Sequence, residues 1–594
     1  MNPHSLQFNA SPRATRCLAT TLALVALALL AAPPARAEPQ LTFIAPAARI
    51  SCFDFVEATI QAHGSAAQNP FTDVTVTGTY GPPGAIPRQV DGFCDAADGT
   101  LFRIRFMPTQ PGPQAYAITY REGPFARSFQ GTFDASDDKK RGLVRIDAEF
   151  PTHFRYEGTQ ERFFWNGTTT YWLAGWDNDT ITQVIDRLDR LKITRIRAAL
   201  SGRVKDGRAW FEDVFPTAKF SFRLSPWLAK DPASVEQPGH DVTRFDLDYW
   251  RKWEHLLAQA RAKDMAVSVI FYVDGRRPGT DPFGKEGMGG PEEQRYYRYS
   301  IARFAPYCNV MWDIANEYRL FSDDPWAEKM GAFVKDTDPY HHLTSTHGHG
   351  DFRFGKSSWA DFAMYQSWDE WGGYEFMLQN RQQQAALGRV IPQVNEEYGY
   401  EDHYPKGWGE NRTAPARAAK TRARIAWEIY LAGGYQTTGE RANQGTGSGP
   451  DTGGGWINGR GDDQMTMLQL YGHIYDFFTS ITWWKLQPDT NLVVAFQPAA
   501  PGTEKTKPRT YAARSAEGDL AAVYVPGGGV ATLKDDLLKD QLKPLWFSPR
   551  DGGMRNARAL RSRVYRTPTN HDWVLLFRTP CNCSFRDFDN EFEQ

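Results

Sequence analysis

Two carboxylates stand at the ends of apolar runs in a way that suits bond cleavage. Glu317 closes NVMWDIANEY, and Glu396 and Glu397 close RVIPQVNEEYGYE, with Glu317 and Glu397 80 residues apart. Two acids facing each other across a cleft are what glycosidic bond hydrolysis requires. One protonates the leaving oxygen, while the other attacks the anomeric carbon or activates water. Read as a β-strand, the second run puts Gln393, Asn395 and Glu397 on one face and Pro392, Val394 and Glu396 on the other. The more apolar face is expected to meet the helices, so Glu397, not Glu396, is predicted to point inward.

Other residue types suit supporting roles. Arg197 in ITRIRAAL can hold a carboxylate ionised through a charge-assisted hydrogen bond. Tyr365 in FAMYQS is a candidate donor to Glu397. The run His347-Gly-His349-Gly-Asp351 invites a metal reading, but it lacks partners elsewhere in the sequence. A sugar-contacting His347 or His349 is preferred, and no metal or cofactor is expected. Trp176 with the adjacent Asp177, Trp368, Trp371 and Trp456 fall between predicted elements. Loop tryptophans are hard to bury and make good stacking surfaces for sugar rings. Glu440 is a further candidate for sugar or arginine contact.

The elements that must position these groups divide into three blocks. Residues 38–140 alternate apolar and polar positions in runs such as VEATIQAH, DVTVTGTY and LFRIRFMP, separated by Pro/Gly clusters. That pattern predicts an antiparallel β-sandwich. The charged stretch from Asp134 to Gly142 reads as a linker. From 150 to 488, eight β candidates alternate with helical stretches: TTYWLAGW, ITRIRAAL, MAVSVIFYVD, NVMWDIANEY, HLTSTHGHG, FAMYQS, RVIPQVNEEYG and GGYQTTGE. Eight such units in one span predict an α/β fold, a (β/α)8 TIM barrel. In it, strand four carries Glu317 and strand seven Glu397. No GxGxxG follows the first strand, which disfavours a doubly wound nucleotide-binding sheet. Residues 489–594 return to strand-like runs, RTYAARS, DLAAVYVPGGG and DWVLLFRTP, and predict a second β-sandwich.

Composition sets the outer bounds. The 594 residues include 19 Trp, 25 Tyr and 37 Phe, an aromatic share of 14% that suits a binding cleft. The formal charge of −2 excludes a strong nucleic-acid binder by net field. Residues 1–37 have a basic start, the apolar run LATTLALVALALLAA and an Ala35-Arg36-Ala37 cleavage site, the pattern of a signal peptide. Cleavage there leaves a chain with no later membrane-length apolar segment, expected in the periplasm or outside the cell. In such a compartment Cys52 and Cys94 are the first choice for a disulfide. Cys581 and Cys583 form a strained bridge or stay free.

The motifs NVMWDIANEY and IPQVNEEYGYE resemble the fourth- and seventh-strand motifs of clan A retaining glycoside hydrolases. The resemblance implies that Glu317 is the acid/base, Glu397 the nucleophile, and Asn316 a hydrogen-bond donor to the hydroxyl beside the anomeric carbon. The mature chain also resembles bacterial glycoside-hydrolase-like proteins of three parts. NPFTDVTVTGTYGPPG and VDGFCDAADGTLFRIRFMPTQPG match the N-terminal sandwich. YAARSAEGDLAAVYVPGGG, LWFSPRDG and DWVLLF match a collagen-binding-like β domain, for which no collagen binding is expected here. Relatives tend to carry Trp-Thr-His where this chain has Leu173-Ala174-Gly175. They also tend to have Thr-His-Gly-Glu where it has Thr437-Thr438-Gly439-Glu440. The resemblance therefore implies an exported hydrolase of a poly- or oligosaccharide, with the sugar left open. A metal-dependent hydrolase built on His347, His349 and Asp351 and a non-catalytic glycan-binding protein are the alternatives.

Overall fold

The computed structural model describes residues 38–202, 224–234, 239–273, 282–367, 373–398, 419–438, 466–502 and 509–579. The N-terminal block folds as two sheets. Gln40–Ile44, Val56–His63, Leu101–Phe106 and Phe93–Cys94 form one, in that spatial order. Arg49–Ser51, Phe125–Ser136, Gly112–Glu122, Val74–Gly81 and Arg88–Asp91 form the other. Alternation sets the faces: in VEATIQAH, Val56, Ala58, Ile60 and Ala62 are buried and the residues between them are not. The expected linker begins later than its charge suggested, because Asp134, Ala135 and Ser136 still pair with Arg49, Ile50 and Ser51.

The expected Cys52–Cys94 bridge is not formed, and both thiols are free. Cys52 follows the edge strand Arg49–Ser51 of one sheet, near Asp137 and Asp138, whereas Cys94 ends an edge strand of the other. The Cys94 thiol contacts the Ala96 carbonyl, 3.1 Å away. Cys581 and Cys583 lie outside the described residues, as does the predicted signal peptide.

A short antiparallel sheet, Val144–Ile146, Phe154–Tyr156 and Arg162–Phe163, leads into the barrel. The barrel strands are β1 (Asn166–Thr169), β2 (Arg195–Ala199), β3 (Ala266–Ile270), β4 (Val310–Asp313), β5 (Thr344–Ser345), β6 (Ala363–Gln366), β7 (Gln393–Glu397) and β8 (Tyr435–Thr438). All pair in parallel, β8 against β1, and a His347–Met364 bridge between the β5 and β6 regions brings the sheet close to closure. β1 lies earlier than TTYWLAGW suggested: the strand is NGTT, and Leu173–Gly175 is a 3-10 turn. Strands such as AVSVI are apolar almost throughout because helices cover one face and barrel side chains the other.

The helices that follow are α1 (Asn178–Arg190), α2 (Leu247–Arg261), α3 (Pro291–Phe304), α4 (Asp324–Thr337), α5 (Gly373–Ala386), α6 (Ala419–Leu431) and α7 (Thr466–Thr479). In α1, Ile181, Val184, Ile185 and Leu188 recur at helical spacing and are buried. Asp177 starts that helix, its carboxylate accepting from the Thr180 N–H at 2.9 Å.

The sandwich is tied to the barrel by charge. Arg105 of the sandwich donates to Glu254 of α2 at 2.7 Å, and Arg303 of α3 reaches Asp95 of the sandwich at 3.0 Å. The C-terminal block is again two sheets, of six and four strands. Leu520–Val525 and Trp573–Arg578 lie inside the larger sheet and are buried along most of their length. One face packs Val523, Val525, Trp573 and Leu575 into the domain's own core. The other presents Tyr524 and Phe547 to Trp427 of α6 and Phe477 of α7. No helix among the described residues is long and apolar enough to cross a membrane.

Candidate active site

β4 carries its chain past Asp313 through buried Ile314 and Ala315 to Asn316 and Glu317. Two backbone bonds fix this end: Asn316 N–H to the Tyr272 carbonyl at 3.0 Å, and Tyr318 N–H to the His347 carbonyl at 3.1 Å. Between them Glu317 sits in the left-handed region, φ 50° and ψ 57°. For a residue with a Cβ this costs about 1–2 kcal/mol, and the bonds on either side hold it there.

β7 delivers the second acid by a route different from the expected one. Gln393 reaches outward, its amide pairing with the Met377 carbonyl and the Arg381 N–H of α5. Glu396, expected to face the helices, instead points into the barrel, where Arg195 Nη1 binds it at 2.8 Å. The pairing of β6 with β7 slips at this point: Tyr365 is opposite Asn395, but Gln366 is opposite Glu397. Glu396 is thus an extra residue in the ladder, and the slip lets Glu397 also reach the barrel mouth.

Around Glu397 the donors converge. Tyr171 donates its hydroxyl to Oε1 at 2.6 Å and Gln366 Nε2 donates to Oε2 at 3.1 Å. Arg197 Nη1 lies 3.7 Å from Oε1 and His347 Nδ1 3.9 Å from it. Burial holds Tyr171 protonated far above the usual phenol range, so it remains a donor. The same Gln366 side chain lies close enough to Glu317 to draw its carboxyl downward.

The environment separates the two acids. Glu317 is mostly buried, its side chain 20% exposed, and burial raises its carboxyl above the ordinary value against the opposing pull of Gln366 and Arg197. His349 Nδ1 is 3.8 Å from Glu317 Oε1 and its side chain is half exposed. The Asn316 side-chain oxygen accepts from Arg197 Nη2 at 2.9 Å and also meets His347 Nδ1 and the Tyr171 hydroxyl. With its oxygen so occupied, its amide nitrogen is the group left for a ligand. Burial, reinforced by Arg197, pushes His347 well below the ordinary imidazole range, so it is neutral.

Glu317, Glu397, Asn316, Arg197, His347 and His349 therefore meet in one place. Tyr365 does not join them: it is fully buried on the helix side, accepts from Gln384 at 3.3 Å and packs edge-on against Phe376. Trp176, expected on a loop surface, is only 5% exposed, and Asp177 is engaged as the α1 cap. The HGHGD run divides: His347 and His349 reach the site, while Asp351 is bound to Arg353 at 2.9 Å and Arg319 at 3.3 Å. No group of three metal-ligating side chains is found among the described residues. Trp368, Trp371, Trp456 and Glu440 lie outside those residues. Sequence reasoning passed over Tyr171, Gln366, Arg195 and Asp313, and placed Glu396 on the outward face. Gln366 adjoins the candidate Tyr365, and only the strand register distinguishes the two.

Residues 153–439 match the family model of the apiosidase-like catalytic domain. Residues 49–121 match a domain family of unknown function, and residues 488–578 the model for a provisionally assigned collagen-binding domain of a collagenase. A structure from Bacteroides vulgatus, provisionally described as a glycoside hydrolase, superposes with TM-score 0.67 at 19% identity, covering 90% of this chain and all of the other. A glycoside hydrolase family 5 structure from the same organism gives TM-score 0.56 at 14% identity, over 74% and 93% of the two chains. The probable mannan endo-1,4-beta-mannosidase C of Aspergillus terreus is 26% identical over 148 residues, 18% of this chain. The match spans 36% of that relative's length. The likeness to the two Bacteroides vulgatus structures is one of fold, a barrel with flanking β domains.

Proposed function

We propose that the chain is an exported glycoside hydrolase acting on a poly- or oligosaccharide by double displacement with retention. The observation that carries this reading is the meeting of Glu317 and Glu397 at one barrel mouth, with Gln366 donating to Glu397 and acting on Glu317. Carboxyls about 5–5.5 Å apart suit direct attack, whereas roughly 6.5–9.5 Å leaves room for a water and would give inversion. Glu397, held by Tyr171, Gln366 and Arg197, attacks the anomeric carbon and forms an ester bond as the glycosidic C–O bond breaks. Glu317, whose carboxyl burial raises above the ordinary value, gives its proton to the departing oxygen. It then takes a proton from water, whose oxygen attacks the same carbon and returns Glu397 to its ionised form. Asn316 offers its amide N–H to the hydroxyl beside that carbon, and His349 stands on the leaving-group side.

Export is supported by the sequence of residues 1–37. The names of the matched family and of the partial relative suggest starting substrates: apiose-bearing oligosaccharides and β-1,4-mannan. The purified mature chain, incubated with these and a wider glycan panel, should release sugar whose first-formed anomer by NMR has the substrate's configuration. Glu317→Gln and Glu397→Gln should each lower kcat by at least a thousandfold. Inverted product, or hydrolysis intact in both variants, would sink the assignment. Glycan retention with no new reducing ends would favour a binding protein instead.

A further inference from the structure

Beneath the catalytic pair, five charged side chains are packed almost without exposure: Arg195 and Arg197 of β2, Asp313 of β4, and Glu396 and Glu397 of β7. Arg197 is shared among all three acids. Its Nη1 is 3.7 Å from Glu397 Oε1, its Nε 3.5 Å from Glu396 Oε2 and its Nη2 3.6 Å from Asp313 Oδ2. Arg195 grips Glu396 and is itself fixed by Ser268 at 2.6 Å and Thr437 at 3.0 Å, with its guanidinium over the Trp165 ring. Among the described residues, neither oxygen of Asp313 nor Oε1 of Glu396 has a hydrogen-bond partner.

Three carboxylates against two guanidinium groups leave one negative charge too many for a dry interior. The arrangement balances when Asp313 is neutral. Asp313 is the natural member to give way, because it accepts no hydrogen bond and has only a long contact with Arg197. Burial, with Arg197 opposing and Glu396 adding to it, pushes its carboxyl up to about 6. The groups facing it are Arg195 and Arg197 of β2 and Glu396 of β7, with neutral His347 of the β5 end beyond Arg197.

We propose that Asp313 and Glu396 are positioning residues that act through Arg197. They hold its guanidinium between Glu397 and Asn316, and by competing for it they set how readily Glu397 ionises. This rests on the reading of Glu397 as nucleophile, and the test separates the two. Asp313→Asn keeps the shape and removes the charge. The folded carboxyl titrates above its unfolded value of about 3.8. Between about pH 4 and 6 the unfolded chain ionises Asp313 while the folded chain resists, so wild type loses stability there relative to Asp313→Asn.

Thermal melts of the full mature chain from pH 4 to 8 should show the gap in Tm change by several degrees across that window and stay level above it. A cycle with Glu397→Gln, read in the same melts at pH 7, should be non-additive, because both residues draw on Arg197. In activity, removing a like charge near Glu397 should move the acid limb of kcat/KM to lower pH by about half a unit or more. This should hold in Glu396→Gln, with kcat reduced about tenfold and KM changed less than threefold, whereas Asp313→Asn, replacing a group already neutral there, should leave the acid limb in place. A Tm gap independent of pH, an additive cycle, or an acid limb unmoved in Glu396→Gln would overturn the proposal. A wild-type chain without hydrolysis would overturn the glycosidase reading alone, since the melts and the cycle still decide the coupling.

Discussion

At the scale of single residues, the donors to Glu397 have unequal consequences. Tyr171→Phe removes a short, charge-assisted hydrogen bond and should lower kcat by about 10–100-fold, worth about 1.5–3 kcal/mol, with little effect on folding. Tyr365→Phe, one strand away and facing the helices, should leave kcat within about twofold; steady-state kinetics of the pair checks both. The sequence made the two acids legible because each follows an apolar strand, and it made Arg197 legible for the same reason. It did not make the donors legible. Alternation along QVNEE, counted from the apolar face, puts Glu397 inward and Glu396 outward. The chain turns both inward because Glu396 is slipped into the ladder beside Gln366. A one-residue slip exchanges every side chain between faces, which is also why Tyr365 was weighed where Gln366 acts.

At the scale of elements, the barrel's grammar was readable because period-2 apolar runs and period-3.6 helices differ over windows of ten residues or more. Short pieces were less so. The first strand is the four residues NGTT, with no apolar side chain to mark it, and the richer TTYWLAGW beside it is mostly a turn. Asp177 shows the same limit: an acid next to a loop tryptophan resembles a ligand contact, yet its carboxylate closes the first turn of α1. Asp177→Ala should therefore cost about 1 kcal/mol, a fall of about 2–4 °C in Tm, while Asp177→Ser restores most of it. KM should be unchanged in both. A raised KM with unaltered melting would return Asp177 to the substrate.

At the scale of the molecule, the three blocks are joined by contacts of different kinds. The sandwich meets the barrel through partly buried ion pairs, Arg105 with Glu254 and Asp95 with Arg303. The C-terminal sheet meets it through aromatic packing of Trp427 and Phe477 against Tyr524 and Phe547. Trp427→Ala should cost about 3–5 kcal/mol, as for other buried tryptophans, and calorimetry should show the barrel and C-terminal transitions moving apart. Domain order was legible from composition shifts. The double-sided burial of the large C-terminal sheet was not, since a run such as WVLLF does not say what lies on each face.

That sheet also imposes an order in time. A chain emerging from its N-terminus presents α6 and α7 before any strand able to cover them exists, and Trp573, in the last strand of that sheet, follows Phe477 by almost a hundred residues. At about 5–20 residues per second, the aromatic face of an otherwise complete barrel stays open to solvent for roughly 5–20 s. During that interval the nascent chain is most prone to self-association, and the final strand is the step that ends it.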